Sequence, residues 1–381
     1  MSSWTLHAGD VLDVLVRMPS GSVHCVVTSP PYFGHRIYED LPMRMWGGNP
    51  AHEHDMEDQS CECGAWIGHL GSEPTLALYI EHLLLVMEEV RRVLHPKGML
   101  WLNIDDTFNS GTNAGRGDGD GNAPIFKRKD MLLVPWRVAI AMQEAGWWVR
   151  SPVIWFKPNA LPSSARDRPA RSYEPVLLFT KSERYFYDSE AVRTPSSEAI
   201  IARYSREREG GGKDRMRQTV RKRGNQPARQ GRKDIPHQGF DERWAEKKRR
   251  KSDFSTNLRD VWMIPTQSYP GPHFATFPER LVETCVLAGT PADGVCAECG
   301  APPAEKYSED GWEWVDGCLC GAEKVPAVVF DPFTGSGTTG VVALRHGRSF
   351  VGIEGSPYYV GLAREHILRD APLLNGDAER L

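Results

Sequence analysis

Apolar and polar positions along the chain follow two periods. The run Val23-His24-Cys25-Val26-Val27 is short, largely β-branched and closed by the prolines of Thr28-Ser29-Pro30-Pro31-Tyr32, which predicts a strand buried on both faces. Met99 to Ile104, Val328-Val329-Phe330 and Ser349 to Ile353 read the same way, and Trp147 to Lys157 and Pro175 to Thr180 add two more strands. Between these runs the apolar residues recur at steps of three and four. Leu76 to Leu94 places Tyr79, Leu83, Val86, Val90 and Val93 on one face, and His95-Pro96-Lys97-Gly98 is predicted to be the turn that ends this helix. Leu132 to Ala145, with Pro135 in its first turn, Glu279 to Ala288 and Tyr358 to Leu368 are further helices, and Val11 to Met18 is a shorter one after the strand Thr5-Leu6-His7-Ala8. Strands alternating with helices predict an α/β fold, a buried sheet with helices on both faces. The stretch from Trp46 to Gly71 follows neither period and reads as a region unlike a core.

Side chains that carry chemistry gather where the predicted strands end. Asp10, Tyr32, Asp105-Asp106, Asp331 and Glu354 each follow a strand, and the carboxyl edge of an open α/β sheet is where ligands bind. Pro30 and Pro31 have no N–H, so the Ser29 and Pro30 carbonyls and the Ser29 hydroxyl are left to accept hydrogen bonds beside the flat ring of Tyr32. Such a corner suits a planar group carrying an amine, such as a nucleobase, although turn chemistry alone would also produce it. In Gly335-Ser336-Gly337-Thr338-Thr339-Gly340 the glycines admit a ligand close to the backbone, and the helix that follows offers N–H groups to a carboxylate. The Lys of a nucleotide-hydrolase loop is missing. Asp10 is equally suited to capping the helix after it.

Thr28 to Tyr32, together with Asp331-Pro332-Phe333-Thr334-Gly335-Ser336-Gly337-Thr338-Thr339-Gly340, resembles the amino-group DNA methyltransferases, and the order of the two motifs resembles their β class. The resemblance covers most of the chain. It implies a Rossmann-like S-adenosylmethionine methyltransferase sheet, circularly permuted, with a target recognition insertion, to which the cysteine spacing adds small zinc-knuckle insertions. The implied catalytic residues are Ser29, Pro30, Pro31 and Tyr32. Those implied to hold S-adenosylmethionine are Asp10, Phe274, Thr276, Asp331, Phe333, Gly335, Gly337, Thr338 and Glu354. The implied domains are residues 1–181, 182–258 for target recognition, and 259–381 with the cofactor loop. Ser at the first position of the tetrad resembles the cytosine-N4 enzymes, with adenine N6 as the alternative. A methyltransferase acting on RNA or protein, and a non-enzymatic zinc-bearing DNA-binding protein, are more distant readings.

Charge and cysteine usage extend this picture. The net charge of −4 conceals residues 200–251, where 18 Lys and Arg stand against 7 Asp and Glu. That stretch would release counterions on meeting double-stranded DNA, or else serve as a solvated linker. Cys296, Cys299, Cys318 and Cys320, two tight pairs with Gly300 and Gly321 after them, look like the knuckles of a zinc ribbon within residues 294–323; four thiolates leave no open position, so the zinc would be structural. His52, His54, Cys61 and Cys63, in a loop spanning 46–71, form a second candidate zinc set with tighter spacing than usual. No apolar run is long enough to cross a membrane, and the start lacks a signal peptide, which predicts a cytoplasmic protein of a prokaryote or phage. A partner restriction endonuclease is compatible with this reading but not required by it, and oligomeric state is left open.

Overall fold

The computed structural model describes residues 2–34, 41, 43–48, 61, 63–109, 126–195, 255–267, 277–308, 311–371 and 376–380. Two compact units emerge. The larger comprises 1–188, 259–306 and 314–381, and the smaller 189–258 and 307–313. In the smaller unit, Thr194–Pro195 pairs antiparallel with Ser255–Thr256, and Arg193 donates to the Ser255 hydroxyl and carbonyl. The predicted basic stretch lies almost wholly outside the described residues.

The larger unit is built on one sheet of nine strands: β1 (Trp4–Ala8), β2 (Val23–Thr28), β3 (Leu94–Asn103), β4 (Trp148–Phe156), β5 (Tyr173–Thr180), β6 (Val261–Met263), β7 (Val328–Asp331), β8 (Ser349–Glu354) and β9 (Gly376–Arg380). Their order across the sheet is β6-β4-β5-β3-β2-β7-β8-β1-β9. Pairing is parallel except around β5, which runs antiparallel to both β3 and β4. At the centre, β2 and β7 join the two ends of the chain, with Cys25 opposite Val329 and Val26 opposite Phe330.

Helices α1 (Val11–Leu15), α2 (Leu76–Val93), α3 (Val134–Glu144), α4 (Glu279–Gly289), α5 (Thr338–Arg345) and α6 (Pro357–Asp370) pack on the sheet as two groups, the first three together and the last three together. In α2 the Thr75 hydroxyl caps the Leu78 N–H, and the helix buries Leu76, Tyr79, His82, Leu83, Val86, Met87, Val90 and Val93, as its period predicts. No turn follows it. Leu94 is already extended and β3 begins at once, and Pro96 keeps His95, the residue before it, out of the helical region. The predicted turn His95–Gly98 is therefore strand. Within β2, Val26 joins the cluster under α2, whereas Cys25 faces α4 so closely that a Cβ on Gly289 would lie 2.6 Å from its Sγ.

The stretch read as unlike a core needs the larger correction. Arg44–Trp46 and Trp66–Gly68 form an antiparallel hairpin whose Trp46 and Trp66 are buried in the main hydrophobic cluster. They sandwich His82 of α2, with ring centroids 4.7 and 5.5 Å away, and His82 Nδ1 meets the buried Glu73 carboxylate at 3.1 Å.

Candidate active site

A cavity of about 830 Å³ opens along the carboxyl edge of the sheet, and most of the predicted ligand-edge residues among those described line it. One wall is the β2 corner. The Ser29 hydroxyl donates to the Tyr32 hydroxyl at 3.0 Å, and the Tyr32 hydroxyl has Asn103 Oδ1 at 3.2 Å and Glu174 Oε2 at 3.3 Å. Asn103 Nδ2 in turn donates to Glu174 and to the Pro175 carbonyl, and Lys157 Nζ pairs with the other Glu174 oxygen. Burial, with the Glu174 charge second, keeps the Tyr32 phenol protonated far above its ordinary range. The ring is thus locked in place, and the Tyr79 hydroxyl fixes the turn by donating to the Pro31 carbonyl at 2.9 Å. Asp105, paired with Arg171, also lines this wall; burial first and Glu174 second raise its carboxyl to about 6.

The opposite wall is the glycine loop between β7 and α5. Gly335 (φ +53°) and Gly337 (φ +81°) adopt left-handed backbone that glycine alone takes cheaply, and no side chain caps the amino end of α5. Glu354 at the end of β8 accepts from the Gly335 N–H at 2.8 Å and the Ser356 N–H at 3.0 Å, and burial pushes its carboxyl up to about 7. Phe333 and Thr338 line the same wall. Asp10 lines it too and also caps α1: its Oδ1 accepts from the Leu12 N–H and pairs with Arg44 of the hairpin.

Asp331 does not reach the cavity. It is 1% exposed, Oδ1 accepts from the Thr28 hydroxyl at 2.7 Å and the Phe333 N–H at 3.1 Å, and Oδ2 accepts from the Thr339 hydroxyl at 2.7 Å. Rather than reaching a ligand, it latches the end of β2 to the start of the glycine loop. Phe274, Thr276, His52 and His54 fall outside the described residues. Sequence reasoning missed Asn103 and Lys157, which no local pattern marks, and the hairpin that brings Arg44 and Trp46 to the cavity. Cys25 is fully buried and burial holds its thiol well above its ordinary value, so no thiolate is available at the β2 corner.

The four clustered cysteines lie elsewhere. The Sγ atoms of Cys296, Cys299, Cys318 and Cys320 are all within 4.8 Å of one another, and the Cys299 and Glu298 N–H groups bring the Cys296 thiol down to about 7. Their knuckle docks on the amino ends of β2 and β3, away from the cavity. Since His24 Nδ1 accepts from the Val328 N–H at 3.1 Å, its Nε2 carries the proton and donates to the Gly300 carbonyl at 3.0 Å, while His95 stacks on the His24 ring.

A glycine-loop wall facing an aromatic and carboxamide wall, on the carboxyl edge of a mixed α/β sheet, is the ligand site of an open α/β enzyme fold. The DNA methylase family model for N6 and N4 enzymes matches residues 23–365, so the chain belongs to this family and is an amino-group DNA methyltransferase. It is 34% identical to the type II methyltransferase M.XycI of Xanthomonas campestris pv. cyanopsidis over 95% of this chain and 87% of the relative. With M.SmaI of Serratia marcescens the identity is 32% over 97% and 92%. Among solved structures, the PvuII DNA methyltransferase (cytosine-N4-specific) superposes with a TM-score of 0.51 at 17% identity, covering 96% of this chain and 86% of that one.

Proposed function

We propose that the protein transfers a methyl group from S-adenosylmethionine to the N4 amine of a cytosine flipped out of double-stranded DNA. The observation that carries this reading is the state of Ser29: its proton is committed to Tyr32, so its lone pairs are what it presents to an amine. Ser29 Oγ and the Pro30 carbonyl each accept one amine hydrogen, with the ring stacked on Tyr32, and the nitrogen lone pair then points toward the glycine-loop wall. A neutral Ser in place of a carboxylate favours cytosine, as the family resemblance implies.

The glycine-loop wall fits the cofactor. Glu354 would accept from the ribose hydroxyls, Asp10 would face the adenine amine, and the uncapped N–H groups of α5 would hold the carboxylate of the methionine end. When bound, the sulfonium supplies the activated methyl group. The order of motifs supports a permuted sheet, with residues 182–258 as the target recognition region. The type II relatives support a modification role beside a restriction nuclease.

The test is incubation of the purified protein with labelled S-adenosylmethionine and mixed-sequence DNA, followed by nucleoside mass spectrometry. Label in N4-methylcytidine, lost in Ser29→Ala and Tyr32→Ala while S-adenosylhomocysteine still binds with unchanged affinity, is the expected result. Label in N6-methyladenine would move the target to adenine, and no label in DNA would sink the reading.

Structural zinc at Cys296, Cys299, Cys318 and Cys320 belongs to the same proposal. Tetrahedral thiolates at about 2.3 Å from zinc stand about 3.8 Å apart, a separation compatible with sulfurs that all lie within 4.8 Å of one another, and the knuckle glycines Gly300 (φ +70°) and Gly321 (φ +68°) let N–H groups turn toward sulfur. Elemental analysis should find one zinc per chain, or two where His52, His54, Cys61 and Cys63 bind a second. Metal-free protein with an unchanged melting temperature in Cys318→Ser would refute it.

A further inference from the structure

Where β4 ends, the segment Pro158-Asn159-Ala160-Leu161-Pro162 crosses the rim of the cavity. Asn159, Ala160 and Leu161 line its mouth, yet Leu161 is 89% exposed. A single exposed leucine is ordinary by itself. This one is held out by a stiffened loop: Asn159 Nδ2 donates to the Thr266 carbonyl at 3.2 Å, the Thr266 N–H returns to Asn159 Oδ1 at 2.8 Å, and the Ala160 N–H closes a turn on the Lys157 carbonyl at 3.2 Å. Prolines on both sides fix the backbone further. Folding thus invests order in presenting an apolar tip to water at the mouth of the cavity.

The surroundings are basic. Lys129 Nζ meets Asp167 Oδ2 at 2.6 Å and so ties the loop Lys127-Arg128-Lys129-Asp130 to the segment Arg166-Asp167-Arg168, while the Arg168 guanidinium sits 3.8 Å from the Phe108 ring centre. Five cations on these two stretches face two acids, and Lys127, Arg128, Arg166 and Arg168 are exposed. A stiffened apolar tip followed five residues later by a basic segment tied to a second basic loop matches the needs of a duplex opened at one base: a filler for the gap and partners for the flanking phosphates.

We infer that Leu161 is the wedge that enters the DNA base stack as the target base leaves it, with the Lys127–Lys129 and Arg166–Arg168 ridge gripping the phosphates on either side. The inference rests on the base-flipping reading above and holds for cytosine or adenine. No cofactor contact is assigned to this loop, so the wedge acts on the opening of the duplex and not on methyl transfer itself. An unpaired target needs no wedge.

The experiment uses the full chain and the sequence that wild type methylates in mixed DNA. Leu161→Ala, Leu161→Met and wild type are compared on that site with the target base paired normally and with the target opposite an abasic position. The expected result is a loss of tenfold or more for Leu161→Ala on the paired duplex, recovery to within about threefold of wild type on the abasic duplex, and near-wild-type rates for Leu161→Met on both. Arg166→Gln should weaken DNA binding and flatten its dependence on salt. Equal losses for Leu161→Ala on the two duplexes would make Leu161 a wall of the base pocket and overturn the wedge, as would unchanged rates on both. Failure of wild type to methylate DNA at all would remove the base-flipping reading together with the inference, a result separate from a DNA-active wild type with an indifferent Leu161→Ala.

Discussion

The two walls of the cavity are built in different ways. The glycine-loop wall draws Pro332 to Ser336 and Thr338 from one short piece of chain, with Asp10 and Glu354 added from the ends of neighbouring strands. On the other wall the groups are side chains from four separate places, Ser29 and Tyr32 after β2, Asn103 on β3, Lys157 after β4 and Glu174 on β5, joined through one carboxylate. A wall set by one contiguous loop depends first on its left-handed glycines, Gly335 and Gly337. One made of converging side chains can be retuned residue by residue, which suits the half of the site that must recognise a particular base.

Asp331 belongs to neither surface and supports both. Replacing it with Ala leaves the Thr28 and Thr339 hydroxyls and the Phe333 N–H without their acceptor inside the protein, which should cost about 3 kcal/mol of stability and disturb both walls together. Asp331→Asn keeps the shape and, with its oxygen in the Oδ1 position, the acceptor for Thr28 and Phe333, while the Thr339 hydroxyl can turn to accept from the new amide. The carboxylate is itself expensive to bury: desolvation outweighs its hydrogen bonds and lifts it to about 6, above the unfolded value near 3.9. Its contribution is therefore fully present below about pH 4 and declines as pH rises through 6. The Asn variant should lie within about 1 kcal/mol of wild type at pH 7 and lose that part of the pH dependence. Urea unfolding of wild type and both variants from pH 3.5 to 8 measures this, and equal destabilisation by Ala and Asn would show that Asp331 does not act as a latch.

The same contrast explains what the sequence disclosed. Residues 331–340 carry a contiguous signal, so the loop and the strand before it could be located by reading alone, as could α2 from its period and β2 from its apolar run. Asn103 and Lys157 looked like strand residues of no special chemistry, because their meeting with Tyr32 and Glu174 is created by the order of β2, β3, β5 and β4 in the sheet. Trp46 and Trp66 were missed for a related reason: isolated aromatics in a polar stretch have no period, and only the hairpin pairing turns both onto His82. Strand β9, Gly-Asp-Ala-Glu-Arg, has no apolar alternation and is defined by backbone pairing with β1 at the sheet edge.

A smaller effect separates the walls by titration. Burial raises Glu354 to about 7, while its backbone partners at Gly335 and Ser356 hold it partly in the ionised form. The ribose hydroxyls proposed to bind there donate hydrogen bonds, so they need the carboxylate. Below pH 7 the protonated form competes, and affinity for S-adenosylhomocysteine should fall about tenfold for each unit of pH, levelling off above pH 8. Glu354→Gln should bind about tenfold more weakly at pH 8 and show no such slope, since the amide does not titrate and offers an N–H where a second acceptor is needed. Calorimetry of S-adenosylhomocysteine binding between pH 5.5 and 8.5 reads both quantities. A slope that survives in Glu354→Gln would transfer the titration to another group; if that group were Asp105, at about 6 on the opposite wall, the two walls would not act independently.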